Sequence, residues 1–191
     1  MLIDRFFPKT EANCVRVDDR AVGRLATQCL IDLGHTRIAH IQGSSLSTAT
    51  LRRRGYVDAM KGAGLFPEKQ NIISATFDLD SGREAARGLL QQNPRLTAIF
   101  GANDPMAIGA VYACRDFGLR VPEDVSIVGA GNIEGQHHPN PFLTTIDWPR
   151  EDLGRTAAAM LLKVITDPGR ECEVKVFEPK LVIRQSTAPL R

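Results

Sequence analysis

The chain has 191 residues, with 24 Lys or Arg against 22 Asp or Glu and a formal net charge of +2, too little to suggest nucleic-acid binding by charge alone. Its 43% hydrophobic and 24% charged residues are ordinary for a globular domain, and a domain of this size needs no disulfide or metal staple. The longest purely apolar run, Ala157–Leu162, is far shorter than a membrane helix requires, and the opening MLIDRFFPKTE lacks the basic-then-apolar order of a secretory signal.

From the N-terminus, Met1–Ile3 and Cys14–Val17 are β-like with no helix between them, so the first eighteen residues read as the tail of something begun upstream. A helix follows at Arg20–Leu33, with Val22, Leu25, Ala26, Cys29, Leu30 and Leu33 on one face. Asp18 or Asp19 can cap its start and Gly34 can end it. His35 is expected to cap the last carbonyls. Arg37–Gln42 reads as a strand and Thr50–Ala63 as a helix, then Ile72–Phe77 as a strand. Ser81 and Glu84 have capping-box spacing for a helix running to Gln92. Thr97–Ala102 is the next strand. Asp104 is placed to be an N-cap, with Pro105 at the first helical position, and Ile108, Val111, Tyr112 and Phe117 are expected on the packed face. Val125–Ala130 is a strand. Gly131–Phe142, with two prolines and the pair His137-His138, reads as a loop. Leu143–Ile146 is a short strand and Pro149–Thr166 a helix. Val174–Phe177 and Lys180–Arg184 are closing strands. Cys14, Cys29, Cys114 and Cys172 form no CxxC pair and read as reduced, packed thiols of a cytoplasmic protein.

Alternating strands and helices predict an α/β fold with a parallel, doubly wound sheet. In such sheets ligands bind outside the carboxyl ends of the strands. Those ends carry Gly43–Thr48 followed by Arg52, then Phe77-Asp78, Asn103-Asp104, Gly129–Asn132 and Asp147-Trp148. One aromatic face among hydroxyls, amides and charges suits a small polar ligand such as a sugar or nucleobase. Of the run Arg52-Arg53-Arg54, two should be solvated and Arg52 should face the crevice. Asp104 reads as a cap before it reads as a ligand contact. No G-x-S-x-G elbow or Walker loop is present, and Gly129-Ala130-Gly131 lacks the third glycine of a dinucleotide fingerprint. His137 and His138 are adjacent and unsuited to chelation. No nucleophile–base pair, metal site or cofactor site is read. The chain is expected not to be an enzyme.

Five stretches, in order, resemble the effector-binding region of the lactose-repressor/galactose-repressor (LacI/GalR) family of transcription regulators. They are CLIDLGHTRIAHIQG, LRRRGYVDAM, LTAIFGANDPMAIGAVYACRDFGLRVPEDVSIVGAGN, PFLTTIDWPREDLGRTAAAMLL and KLVIRQST, within Val15–Thr187. The resemblance implies a two-lobed, periplasmic-binding-protein-like (type I) fold with the ligand between lobes. On that reading residues 1–18 are a remnant of the first lobe and residues 19–146 the second lobe, nearly complete. Residues 147–173 are a crossover and a first-lobe helix, and residues 174–191 are strands returning to the second lobe. The family's N-terminal helix-turn-helix is missing, so the chain is expected to be a fragment that senses a small molecule but does not bind operator DNA alone. Rival readings are a transport binding protein for sugars and a small α/β enzyme.

The resemblance also implies roles. Arg52 matches the effector-contacting arginine, with Thr48 in the loop before it. Phe77 matches the stacking aromatic and Asn103 a frequent polar contact. Asp18 and Trp148 sit at crossovers near the cleft. The family's usual aspartate, two residues after the glycine of VSIVG, is replaced by Gly131, so either the ligand differs or Asn132 compensates. A homodimer is implied through Pro105, Met106, Ala110 and Ala113, with Pro141 and Phe142.

Overall fold

The computed structural model describes residues 1–7, 10–133, 141–167 and 169–190. His137, His138 and Pro139, read above as loop, lie outside the described residues.

The elements in chain order are β1 (Leu2–Ile3), β2 (Cys14–Val17), α1 (Asp19–Asp32), β3 (Ile38–Gln42), α2 (Ser47–Gly62), β4 (Ile72–Ser74) and α3 (Leu79–Gln92). Then come β5 (Ala98–Gly101), α4 (Asp104–Asp116), β6 (Ser126–Ala130), β7 (Thr144–Asp147), α5 (Arg150–Thr166), β8 (Val174–Phe177) and β9 (Lys180–Val182). The larger sheet has strand order β4-β3-β5-β6-β7-β9. It is parallel except for β9, which runs antiparallel to β7.

This sheet is buried on both faces, as a doubly wound parallel sheet must be, and its side chains alternate accordingly. Ala39, Ile41, Ile99 and Ile127 pack with Leu89 of α3 and with Met106, Ala107, Ala110 and Ala113 of α4. Ile38, Ala98, Phe100, Val128 and Ala130 pack on the other side with Val22, Ala26 and Leu30 of α1 and Tyr56 and Met60 of α2. Each helix pair crosses through glycine. A β-carbon on Gly23 of α1 would collide with the Arg52 carbonyl, and one on Gly55 of α2 with the Arg20 carbonyl. Gly82 and Gly109 make the same close approach between α3 and α4. The first crossing sets Arg52 directly against α1.

A smaller parallel sheet, β1-β2-β8, joins the chain's two ends. Leu153, Ala157 and Met160 of α5 cover Val15 of β2. The return to the larger sheet therefore comes after Phe177, not at Val174, because β8 pairs with β2. Leu162 and Ile165 at the far end of α5 are exposed, as is Val174.

Several local expectations change. Helix α3 is capped by Asp78, whose carboxylate accepts the Ser81 N–H at 2.8 Å, so Ser81 lies inside the helix. The cap of α4 is Asn103, one residue before Asp104, accepting the Met106 N–H at 3.0 Å. Asp104 is buried and accepts Thr145 Oγ1–H at 2.6 Å and the Ile133 N–H at 2.7 Å, tying α4 to β7 and to the segment after β6. His35 does not cap α1 with its ring. The ring is buried between Thr97 and Ser126, each 3.0 Å away, where the C-terminal segment closes over the sheet at Ala188. Helix α4 packs through Met106, Ala110 and Ala113, while Tyr112 and Phe117 are exposed. Cys172 is also exposed, unlike the three buried cysteines.

Candidate ligand-binding site

The carboxyl ends of β3, β5 and β6 open into a cavity of about 330 Å³. Its wall includes Thr48, Arg52, Phe77, Asn103 and Trp148, five of the seven residues expected there. Asp4, Arg5, Leu46, Ala130, Gly131, Ile133 and Arg150 complete it.

Arg52 is held before any ligand arrives. Only 5% exposed, it sits one turn into α2 where Gly23 lets α1 come close. Its Nε donates to Asp19 Oδ1 at 2.8 Å and its Nη1 to the Ala102 carbonyl at 2.6 Å. Asp19 is buried too, and burial pushes its carboxyl above the usual range, with Arg52 only partly offsetting this. Such a buried pair gains little net stability, but loss of one partner strands the other charge. Its geometric consequence is an oriented guanidinium at the cavity wall.

Trp148 has two guanidinium groups over its ring, with Arg150 4.6 Å and Arg52 5.3 Å from its centroid. Phe77 has a φ of +68°, an uncommon conformation for a bulky residue. Asn103 supports it by donating Nδ2–H to the Phe77 carbonyl at 2.7 Å. Its ring lies over Gly43, where any β-carbon would collide with it. Asn103 thus caps α4 and holds the aromatic with the same amide.

Two expected residues are not in the cavity wall. Asp18 caps α1, accepting the Arg20 and Ala21 N–H groups at 3.0 Å. Asn132 is turned aside, with Arg184 Nη2 donating to its Oδ1 at 2.5 Å. Asn132 therefore does not replace the carboxylate missing at position 131. The residues that the sequence did not reveal come mainly from chain-distant pieces. Asp4 and Arg5 follow β1, and Arg150 opens α5 beside the Trp148 already singled out.

A second concavity of about 660 Å³ lies on the outer side of α4, lined by Ile108, Val111, Tyr112 and Arg115 together with Leu119, Val121 and Phe142. Met106, Ala110 and Ala113, expected at a partner interface, are fully buried inside the chain and cannot offer a surface. Pro105 and Pro141 are half-buried and, unlike Phe142, do not line this concavity. Among the described residues no three His, Cys, Asp or Glu side chains gather as a metal site would need, and no helix is long and apolar enough to cross a membrane.

Residues 27–187 match the family described as periplasmic binding protein-like domain. The ribose operon repressor of Haemophilus influenzae is 35% identical over 192 aligned positions, covering 100% of this chain and 58% of that protein. The chain thus spans about half the length of the curated relatives that it matches. The crystal structure of a LacI family transcriptional regulator from Mycobacterium smegmatis superposes with a TM-score of 0.89 at 35% identity, covering 98% of this chain and 69% of that one. A LacI family regulator from Enterococcus faecium, solved with bound ribose, gives 0.87 at 31% identity, covering 100% and 71%.

Proposed function

This chain belongs to the LacI family of transcriptional regulators, and from that membership we propose that it is the effector-binding and dimerising part of one. It takes up a small polar effector, such as a sugar, in the cavity at the strand ends. The observation that carries this reading is the convergence of Thr48, Arg52, Phe77, Asn103 and Trp148 on one cavity from four separate segments. A stacking aromatic, an oriented guanidinium and an amide are what a polyhydroxylated or heteroaromatic ligand needs. Relatives of this chain include a ribose operon repressor and a ribose-bound regulator.

The small sheet with α5 is the piece of the first lobe that this chain carries, and the larger sheet is the second lobe. A ligand that favours one arrangement of the lobes shifts that population. The shift would respace the DNA-reading helix-turn-helix units, which lie outside these 191 residues. The protein acts in the cytoplasm as a non-enzymatic sensor. Its homodimer forms through the apolar concavity of α4, by Ile108, Val111, Tyr112 and Phe142. That correction follows from the burial of Met106, Ala110 and Ala113.

The test is thermal unfolding of the chain against sugars, sugar phosphates, sugar acids and nucleobases. Saturation at about 100 times Kd adds roughly 2.7 kcal/mol, a midpoint rise of about 5–10 °C for this size. The rise disappears in Phe77→Ala. A panel in which nothing moves the midpoint refutes the reading.

A further inference from the structure

Taking the effector-site reading as its basis, we infer that the cavity selects a small polyol bearing an anionic group, a phosphate ester or a carboxylate, over the neutral sugar. Three arginines line it, Arg5, Arg52 and Arg150, against one acidic residue, Asp4. The other nearby acids are engaged behind the wall. Asp19 is 2.8 Å from Arg52, and Asp147 is shared between Arg150 at 3.3 Å and Lys180 at 3.6 Å. These ion-paired groups alone number four cations to three carboxylates.

Position 131 sharpens the argument. Gly131 lines the cavity with no side chain, so the second acceptor that a neutral polyol would use is absent. Asn132 does not supply one, being bound by Arg184. Asp104, the nearest acid to Gly131, is committed to Thr145 and Ile133. Donors outnumber acceptors on this wall, and a ligand carrying its own negative charge meets that imbalance.

Two helices also begin here without a side-chain cap. Helix α2 starts after Leu46 and α5 after Pro149, neither with a side-chain hydrogen bond at its cap. The positive end of α2, whose first turn carries no acid, adds to the arginine field, whereas Glu151 and Asp152 offset that of α5. The polyol half rests on Asp4. Its side chain lines the cavity and is 42% exposed, and its backbone is held at a φ of +52°. An accessible carboxylate at a cavity wall is an acceptor for a ligand hydroxyl.

The experiment is calorimetric titration of the 191-residue chain with three matched series: glucose, glucose 6-phosphate and gluconate; ribose, ribose 5-phosphate and ribonate; and inorganic phosphate alone. One anionic member is expected to bind roughly tenfold or more tightly than its neutral parent, as one added charge-assisted hydrogen bond would give. The ester and acid arms identify which anion. The ratio of anionic to neutral affinity should fall below about threefold in Arg150→Gln or Arg5→Gln, and also on raising the salt from about 0.05 to 0.5 M. A neutral sugar that binds as tightly as its ester and acid overturns the inference and leaves the effector site standing. So does a ratio unchanged in both arginine variants. Inorganic phosphate that competes as well as the ester overturns the polyol half. Binding by no member of any series overturns the inference, and the effector site falls with it when the unfolding panel, nucleobases included, is silent too.

Discussion

His40 should make the fold sensitive to acid, by an amount that the structure sets. Its ring stacks between Phe100 and Tyr56 at centroid distances of 4.6 and 5.2 Å. Nδ1 lies 3.0 Å from the Phe100 carbonyl. A carbonyl only accepts, so Nδ1 carries the proton and Nε2 is left as a bare lone pair. Nε2 is buried with no partner. Protonation would place a charged N–H there with nothing to receive it. Burial accordingly lowers the pKa from 6.5 to about 4. The unfolded chain takes up this proton more readily than the folded one, so stability is full above 6.5 and is lost as pH falls towards 4. At about pH 4.5 the two values give a loss of about 2–3 kcal/mol relative to neutral pH. Urea unfolding of the wild type and of His40→Leu at about pH 7.5 and 4.5 isolates this term, because other titrating groups, including His35, are common to both. The wild type should lose about 2–3 kcal/mol more than the variant. Equal losses would refute the reasoning.

Four further substitutions test the packing and the assembly. Gly55→Ala drives a β-carbon into the Arg20 carbonyl; we expect a cost of about 2–4 kcal/mol in urea unfolding and loss of ligand-induced stabilisation, because Arg52 rides on the same helix crossing. Gly62→Ala, where a β-carbon meets nothing within 4 Å, should be neutral or stabilising by up to about 1 kcal/mol. Tyr112→Glu should halve the mass in sedimentation equilibrium while changing chain stability by less than about 1 kcal/mol. Met106→Ala should do the reverse, costing about 2–5 kcal/mol as a core cavity with the association state retained.

The order of strands and helices was legible because its signals are local. Apolar spacing located α1, and the Asn-Asp-Pro run located the start of α4 to within a residue. What the sequence could not rank was competition among neighbouring polar side chains. Asn103 and Asp104 both suit an N-cap, as do Asp78 and Ser81, and the tertiary partner decides. Asp104 is drawn away by Thr145 and Ile133, which leaves the cap to Asn103. The same limit explains the error on α4. Ile108, Val111, Tyr112 and Phe117 form an apolar stripe. However, the crossing at Gly82 and Gly109 turns the small residues inward, so that Ile108 and Val111 are half-buried against the core while Tyr112 and Phe117 are left exposed.

For the site, the strand-end rule found residues whose side chains reach the cavity from the larger sheet. It could not find Asp4 or Arg5, which arrive through the β1-β2-β8 sheet, because nothing local says that residues four and five lie opposite residue 131. It also could not find Asp19, which reads as one of two equivalent cap candidates. Asp18 takes the cap, and that frees Asp19 to turn inward and fix Arg52. The glycines bear on the same point. Gly23 carries no chemistry, yet a side chain there would push α2 away and take Arg52 off both Asp19 and Ala102. A residue's distance from the ligand is therefore a poor guide to its effect on binding. The positions most able to abolish recognition without touching a ligand are Gly23, Gly55 and Asp19, and each acts by moving one guanidinium.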